Sequence, residues 1–247
     1  MQVGFIGAGN MARALARGWG EPVLCTDSGS GRAQALAEEL GGEALASNRE
    51  LAERADLVIL AHKPAQLADI AREAAGAKAV VSLLARTKLA DVRAAYPGVP
   101  AFRVMPNTPV ELGRGAIAIA QADADSDLHA QVRERFERVG TVVEVPEKLM
   151  GIAGACSGVG PAYWALLVEA QVDAAVRRGL PASLASTLVV ETMAGSAELL
   201  RARDGDTFGV RREVTSPGGT TAQGLAALER GGVRAAFASA MDDVVGS

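Results

Sequence analysis

Aromatic side chains are scarce in this 247-residue chain: Phe, Trp and Tyr together make up 4% of it. The core must therefore come from Ala, Val and Leu, which favours close helix packing. Cysteine is nearly absent. Cys25 and Cys156 are the only two, neither belongs to a CxxC pair, and they cannot form a disulfide framework. Histidine is as rare, with only His62 and His129, so no metal site is expected. The net charge is -4 and no basic run stands out, which argues against a nucleic-acid partner. No apolar segment approaches the ~20 residues needed to cross a bilayer. The chain opens as Met1-Gln2-Val3-Gly4-Phe5-Ile6, straight into a strand with no leader-like stretch before it. A cytoplasmic protein without a membrane partner is expected.

What the chain does contain is apolar residues, at 49%, enough to fold a real core. Short apolar runs alternate with helix-like stretches through the first half. Strands are predicted at Val3 to Ile6, Pro22 to Thr26, Leu57 to Ala61, Ala79 to Leu83 and Ala101 to Val104. Helices are predicted at Asn10 to Gly18 and Gly31 to Leu40. Continuous apolar runs bounded by Gly or Pro suit strands covered on both faces, hence a parallel sheet. Strands at Gly115 to Ala120 and Thr141 to Val145 are expected to close its far edge. The pattern changes near Pro146, after which no strand is predicted. Helices are expected at Val159 to Arg178, Pro181 to Arg203, Thr220 to Gly231 and Val233 to Val245. The fold class is α/β: an N-terminal Rossmann-like doubly wound sheet over 1-146, then an all-helical domain over 147-247. Helical stretches such as Ala165 to Ala175 carry small apolar residues all round, which calls for a partner chain.

Gly7-Ala8-Gly9-Asn10-Met11-Ala12 follows the first strand and opens a helix, fitting the GxGxxG/A dinucleotide fingerprint. Gly7 would permit the tight turn and Gly9 the approach of a pyrophosphate. The helix N-terminus with Asn10 and Met11 would offer free N–H groups. Asp27 lies 27 − 7 = 20 residues beyond Gly7, where an acid takes the ribose 2′-hydroxyl of NAD. Yet Ser28, Ser30 and Arg32 follow at once, as a 2′-phosphate would require. The cofactor therefore stays open between NADPH and NADH, and Asp27 between a ribose ligand and a loop acid.

Three further motifs carry polar chemistry. Ala61-His62-Lys63-Pro64 ends a strand, where ligands bind in parallel sheets. His62 has no acid beside it in the motif and suits a loop or cofactor wall better than a general base. Met105-Pro106-Asn107-Thr108-Pro109 ends another strand and is either a structural turn or an active-site wall bearing Asn107. Ser216-Pro217-Gly218-Gly219-Thr220-Thr221 precedes a helix. It reads either as an interhelical loop capped by Thr220 or Thr221, or as an anion site made of free N–H groups.

Together these motifs resemble the pyrroline-5-carboxylate reductase family. The resemblance rests on GFIGAGNM at Gly4 to Met11, AxKP at Ala61 to Pro64 and MPNTPV at Met105 to Val110. It continues with SGxGPAY at Ser157 to Tyr163 and TSPGGTTxxGLxxLE at Thr215 to Glu229. It implies a Rossmann domain, a helical dimerisation domain, an active site completed by a second subunit, and reduction of a cyclic imine by NADPH or NADH. By position, Thr221 would contact the imine region of the substrate. Ser216, Gly218, Gly219 and Thr220 would hold the carboxylate, and Asn48, Ala61, Lys63 and Pro64 would line the cofactor. Three features depart from the family pattern: Val159 where Ser is common, Leu83-Leu84-Ala85-Arg86 in place of a small Ala-Ala-Gly-like stretch, and the Asp27 loop. A hydroxy-acid or other imine dehydrogenase of the same plan is the alternative, but its usual Lys is absent from Pro161 to Arg177. A non-catalytic nucleotide sensor would have no need of the SPGGTT loop.

Overall fold

The computed structural model describes residues 1–121 and 127–246. Two compact units divide the chain, Met1–Pro161 and Ala162–Ser247. In the first unit, β1 (Val3–Ile6), α1 (Asn10–Trp19), β2 (Leu24–Thr26), α2 (Arg32–Leu40), β3 (Glu43–Ala44), α3 (Asn48–Arg54) and β4 (Leu57–Leu60) come first. They are followed by α4 (Leu67–Glu73), β5 (Val80–Ser82), α5 (Leu89–Ala95), β6 (Ala101–Met105), β7 (Gly115–Ala120), α6 (Asp127–Glu137), β8 (Gly140–Val145) and α7 (Met150–Ser157). The sheet order is β3-β2-β1-β4-β5-β6-β7-β8.

Side chains alternate between the two faces of this sheet, and both faces are covered. Phe5 and Ile59 enter one apolar cluster, while their neighbours Ile6 and Leu60 enter the other. That is why the central strands read as unbroken apolar runs. One expectation fails: the sheet is not parallel throughout, because β7 runs antiparallel to β6. The link from Met105 to Gly115 holds only a short 3-10 turn at Thr108–Leu112, less than the ~12 residues a parallel crossover needs. Helix α6 supplies that length between β7 and β8, which pair in parallel.

The change of pattern at Pro146 marks the end of the last strand, while the compact unit continues to Pro161. The Glu147 carboxylate accepts from Leu89 N–H and from the buried Arg103 guanidinium, both at 2.8 Å. Helix α7 then buries Met150 against Ala118 and Ala120. Local sequence does not announce α7, because Gly151 and Gly154 depress helix propensity. Gly154 is there for close packing: a Cβ on it would lie 2.3 Å from Met105 Cε.

The second unit holds the rest of α8 (Gly160–Val176), with α9 (Ala182–Ala202), α10 (Thr207–Glu213), α11 (Thr220–Arg230) and α12 (Val233–Val245). Helix α10 was also unforeseen; Asp206 caps it by accepting from Gly209 N–H at 2.8 Å. From Ala162 to Gly246 only Ala185 and Val189 are buried. Trp164, Leu166, Leu184, Leu188, Phe208 and Leu228 are all more than half exposed. A helical unit that buries so little cannot offset its conformational entropy alone.

The run Glu147–Val176 is long and apolar enough, by length and composition, to cross a membrane, contrary to the expectation that no segment reaches that length. It is broken between α7 and α8 at Gly158–Val159. Its first part is anchored to the sheet through Met150, and its second carries Glu169 and Asp173. These features fit protein contact better than lipid.

Candidate active site

A cleft of about 880 Å³ opens at the carboxyl ends of β1, β2 and β4, where parallel sheets bind ligands. Its floor is the turn from β1 into α1. Gly7 has φ +99° there, and a Cβ on it would lie 2.7 Å from the Ala61 carbonyl oxygen. Only glycine fits, for both reasons. Gly9 is the N-cap of α1 and has no side-chain cap. A Cβ on Gly9 would meet nothing within 4 Å. The turn thus presents the open, positive end of a ten-residue helix to the cleft.

Of the positions singled out from the sequence, Gly7, Gly9, Asp27, Ser28, Arg32, Asn48, Ala61 and Lys63 all line this cleft. Four do not. Asn10 opens α1, Met11 packs against the core, and Pro64 starts the short 3-10 turn that follows. The amide of Asn107 donates to the Ser157 carbonyl at 3.1 Å and accepts from Ala116 N–H at 2.8 Å. Thr26, Arg49 and Glu73 line the cleft without having been singled out. Arg49 adjoins Asn48, a signal that could have found it. Glu73 ends α4 and had none.

Hydrogen bonds organise the polar wall. The Thr26 hydroxyl donates to Asn48 Oδ1 and Asn48 Nδ2 donates to Glu73, each at 2.6 Å. Asp27 accepts from Gly29 N–H (2.7 Å), Ser30 N–H (3.2 Å), the Ser30 hydroxyl (2.9 Å) and Ala33 N–H (3.0 Å). These donors, Ala33 foremost, hold its carboxyl down at about 2. His62 Nδ1 lies 2.9 Å from the Lys63 carbonyl, so Nδ1 carries the proton when the ring is neutral. Burial pushes its pKa down, consistent with a neutral wall residue. Burial pushes the Cys25 thiol up to about 11, which excludes it as a nucleophile.

In the second unit, the Ser216–Gly219 turn leads into α11. Gly218 has φ +70°, and Gly219 N–H donates to the Ser216 carbonyl at 3.1 Å. The helix is capped by Gly219, with no side-chain cap, rather than by Thr220 or Thr221. The first N–H groups of the helix are thereby left without the partner that a Thr cap would supply.

The family model for pyrroline-5-carboxylate reductase dimerisation matches residues 147–246, and one for NADP oxidoreductase coenzyme F420-dependent matches residues 2–86. The Synechocystis pyrroline-5-carboxylate reductase is 36% identical, with 98% of this chain and 94% of that protein covered. The chain belongs to the pyrroline-5-carboxylate reductase family. Mouse pyrroline-5-carboxylate reductase 3 is 34% identical, over 98% of this chain and 92% of its own. The crystal structure of the Plasmodium falciparum pyrroline carboxylate reductase with NADP bound superposes with a TM-score of 0.89 at 28% identity, covering 99% of this chain and 95% of that one. The second unit is thus the greater part of a dimerisation region, and its exposed apolar surface is that of a homo-oligomer.

Arg86 closes the Leu83-Leu84-Ala85-Arg86 stretch. It has φ +59°, one of only two positive-φ non-glycine residues among those described. A left-handed L-residue costs roughly 1–2 kcal/mol, partly offset in glycine by its larger unfolded-state entropy. Arg86→Gly is therefore expected to stabilise the protein by about 0.5–1 kcal/mol. A thermal melt that shows no gain or a loss would mean the backbone is not strained there.

Proposed function

We propose that this chain reduces Δ1-pyrroline-5-carboxylate to L-proline with NADPH or NADH as hydride donor. One observation carries the reading: an open glycine cradle at the start of α1, in a chain matched over nearly its whole length by reductases of that name. The residues fit a dinucleotide. Gly7 and Gly9 would let the pyrophosphate approach the N–H groups of α1, while Asn48, Ala61 and Lys63 would border the adenosine half. When bound, the cofactor supplies the hydride.

The chain's own residues would bind and orient. Gly218, Gly219 and Thr220, with Ser216, would hold the substrate carboxylate on free N–H groups, and the Thr221 hydroxyl would orient the imine nitrogen. A protonated imine is already electrophilic, so this role needs no strong acid. The functional division proposed lies at residue 146, with 147-247 forming the substrate and dimerisation domain. The assembly proposed is a homodimer or a larger oligomer, each site completed across the subunits. The cytoplasm suits it, where both thiols stay reduced.

The test is absorbance at the nicotinamide band. NADPH or NADH should be consumed only when the imine is added. Consumption with a hydroxy acid's ketone instead would overturn the reading. Thr221→Ala should lower kcat/KM by roughly 10–100-fold, about 1.4–2.7 kcal/mol for one oriented hydrogen bond. Unchanged kinetics in that variant would remove Thr221 from the site.

A further inference from the structure

The cleft bears on which dinucleotide is selected, an inference that rests on the cofactor reading above. NADH presents a 2′-hydroxyl, a donor that needs an acceptor at the end of β2. Asp27 is the residue placed for this, but both its oxygens are engaged. Oδ1 accepts from Gly29 and Ser30 N–H, and Oδ2 from the Ser30 hydroxyl and Ala33 N–H. Asp27 therefore shapes the loop from Ser28 to Arg32 rather than reading the ribose. Gly29 and Gly31 make that shape possible, at φ +86° and +75°.

Three cations line the same cleft, Arg32, Arg49 and Lys63. No side-chain ion pair or hydrogen bond among the described residues holds any of them. This sets them apart from Arg13, Arg17 and Arg54, each paired with glutamate nearby. The acids facing the cleft are Asp27, engaged by its own loop, and Glu73, bonded to Asn48. In a chain of net charge -4, this wall is locally positive. A cleft with unpaired guanidiniums, whose Asp27 carboxylate is already engaged by its own loop, suits a dianion.

We propose that Arg49, together with Arg32, reads the 2′-phosphate of NADPH, and that the protein discriminates against NADH through these two side chains. Guanidinium suits the task because its planar fork bonds a phosphate bidentately. Arg49 is exposed on the first turn of α3, so replacing it leaves the core untouched.

Calorimetric titration of the full-length protein with NADPH and with NADH, which differ only in the 2′-phosphate, tests this without turnover. The wild type should bind NADPH at least ~10-fold tighter, with the gap narrowing as salt rises. Arg49→Ala should weaken NADPH by roughly 10-fold and leave NADH within about 2-fold. Arg49→Lys should recover part of the loss. Equal binding of the two cofactors by the wild type, or an equal loss of both in Arg49→Ala, would overturn the inference alone. Binding of neither would overturn the dinucleotide reading itself.

Discussion

Gly9→Asp is expected to leave the protein folded and to weaken NADPH binding by at least ~100-fold, with activity falling in step. The fold survives because a Cβ at Gly9 has open space around it, with no heavy atom within 4 Å, and φ −76° suits any residue. Binding fails because that open space is where the pyrophosphate would lie. The new carboxylate would fill it and set a negative charge against two more at the end of α1. Each close like-charge contact costs about 1–4 kcal/mol in partly solvated surroundings, before the steric clash is counted. Gly7→Ala is the instructive contrast. There φ +99° and the 2.7 Å approach to the Ala61 carbonyl both oppose a side chain, so the β1–α1 turn itself should be damaged and the melting point should fall. Calorimetric NADPH titration, paired with thermal melts, separates the two outcomes. A Gly9→Asp protein that binds NADPH normally would place the pyrophosphate elsewhere.

The second large effect is expected in the helical unit. Leu166 and Leu188 are 62% and 59% exposed in the single chain, and the unit around them buries only Ala185 and Val189. Replacing both with Glu should dissociate the oligomer. A fully buried Leu side chain contributes roughly 1.5–3 kcal/mol, and a two-fold interface counts each position twice. The pair should therefore raise the dissociation constant by more than ~1000-fold. The released helices have almost no core of their own, so helical circular dichroism should fall as well. Light scattering across a concentration series reads the assembly state. An unchanged oligomer would mean that both side chains lie outside the subunit contact.

Much of the first unit was legible because its signals are local. Continuous apolar runs marked β1, β4, β5 and β7 to within a residue or two. The Gly7-Ala8-Gly9 turn declared itself between a strand and a helix. What escaped depended on partners distant in sequence. The two-residue β3 exists only because Leu24 and Cys25 pair with it. Helix α7 holds two glycines that make sense only against Met105 and the sheet. Asn107, a polar residue between two prolines, bonds to the Ser157 carbonyl and the Ala116 N–H, partners 50 and 9 residues away that no local pattern announces.

The sequence by itself determined the class of this protein. Period and punctuation set a doubly wound sheet followed by helices, and motif order set the reductase family, because glycine, proline and apolar spacing act through the backbone within a few residues. Only the tertiary structure decided which donors meet Asp27. Its identity and spacing suit a ribose ligand, yet whether a carboxylate is free depends on where the neighbouring N–H groups point. The loop folds four donors onto it, and it is therefore a support for the cleft wall. The same holds for charge. A formal net charge is a sum over residues, whereas the potential in a cleft depends on which cations are already paired. Pairing is fixed by distances that the chain acquires only when folded.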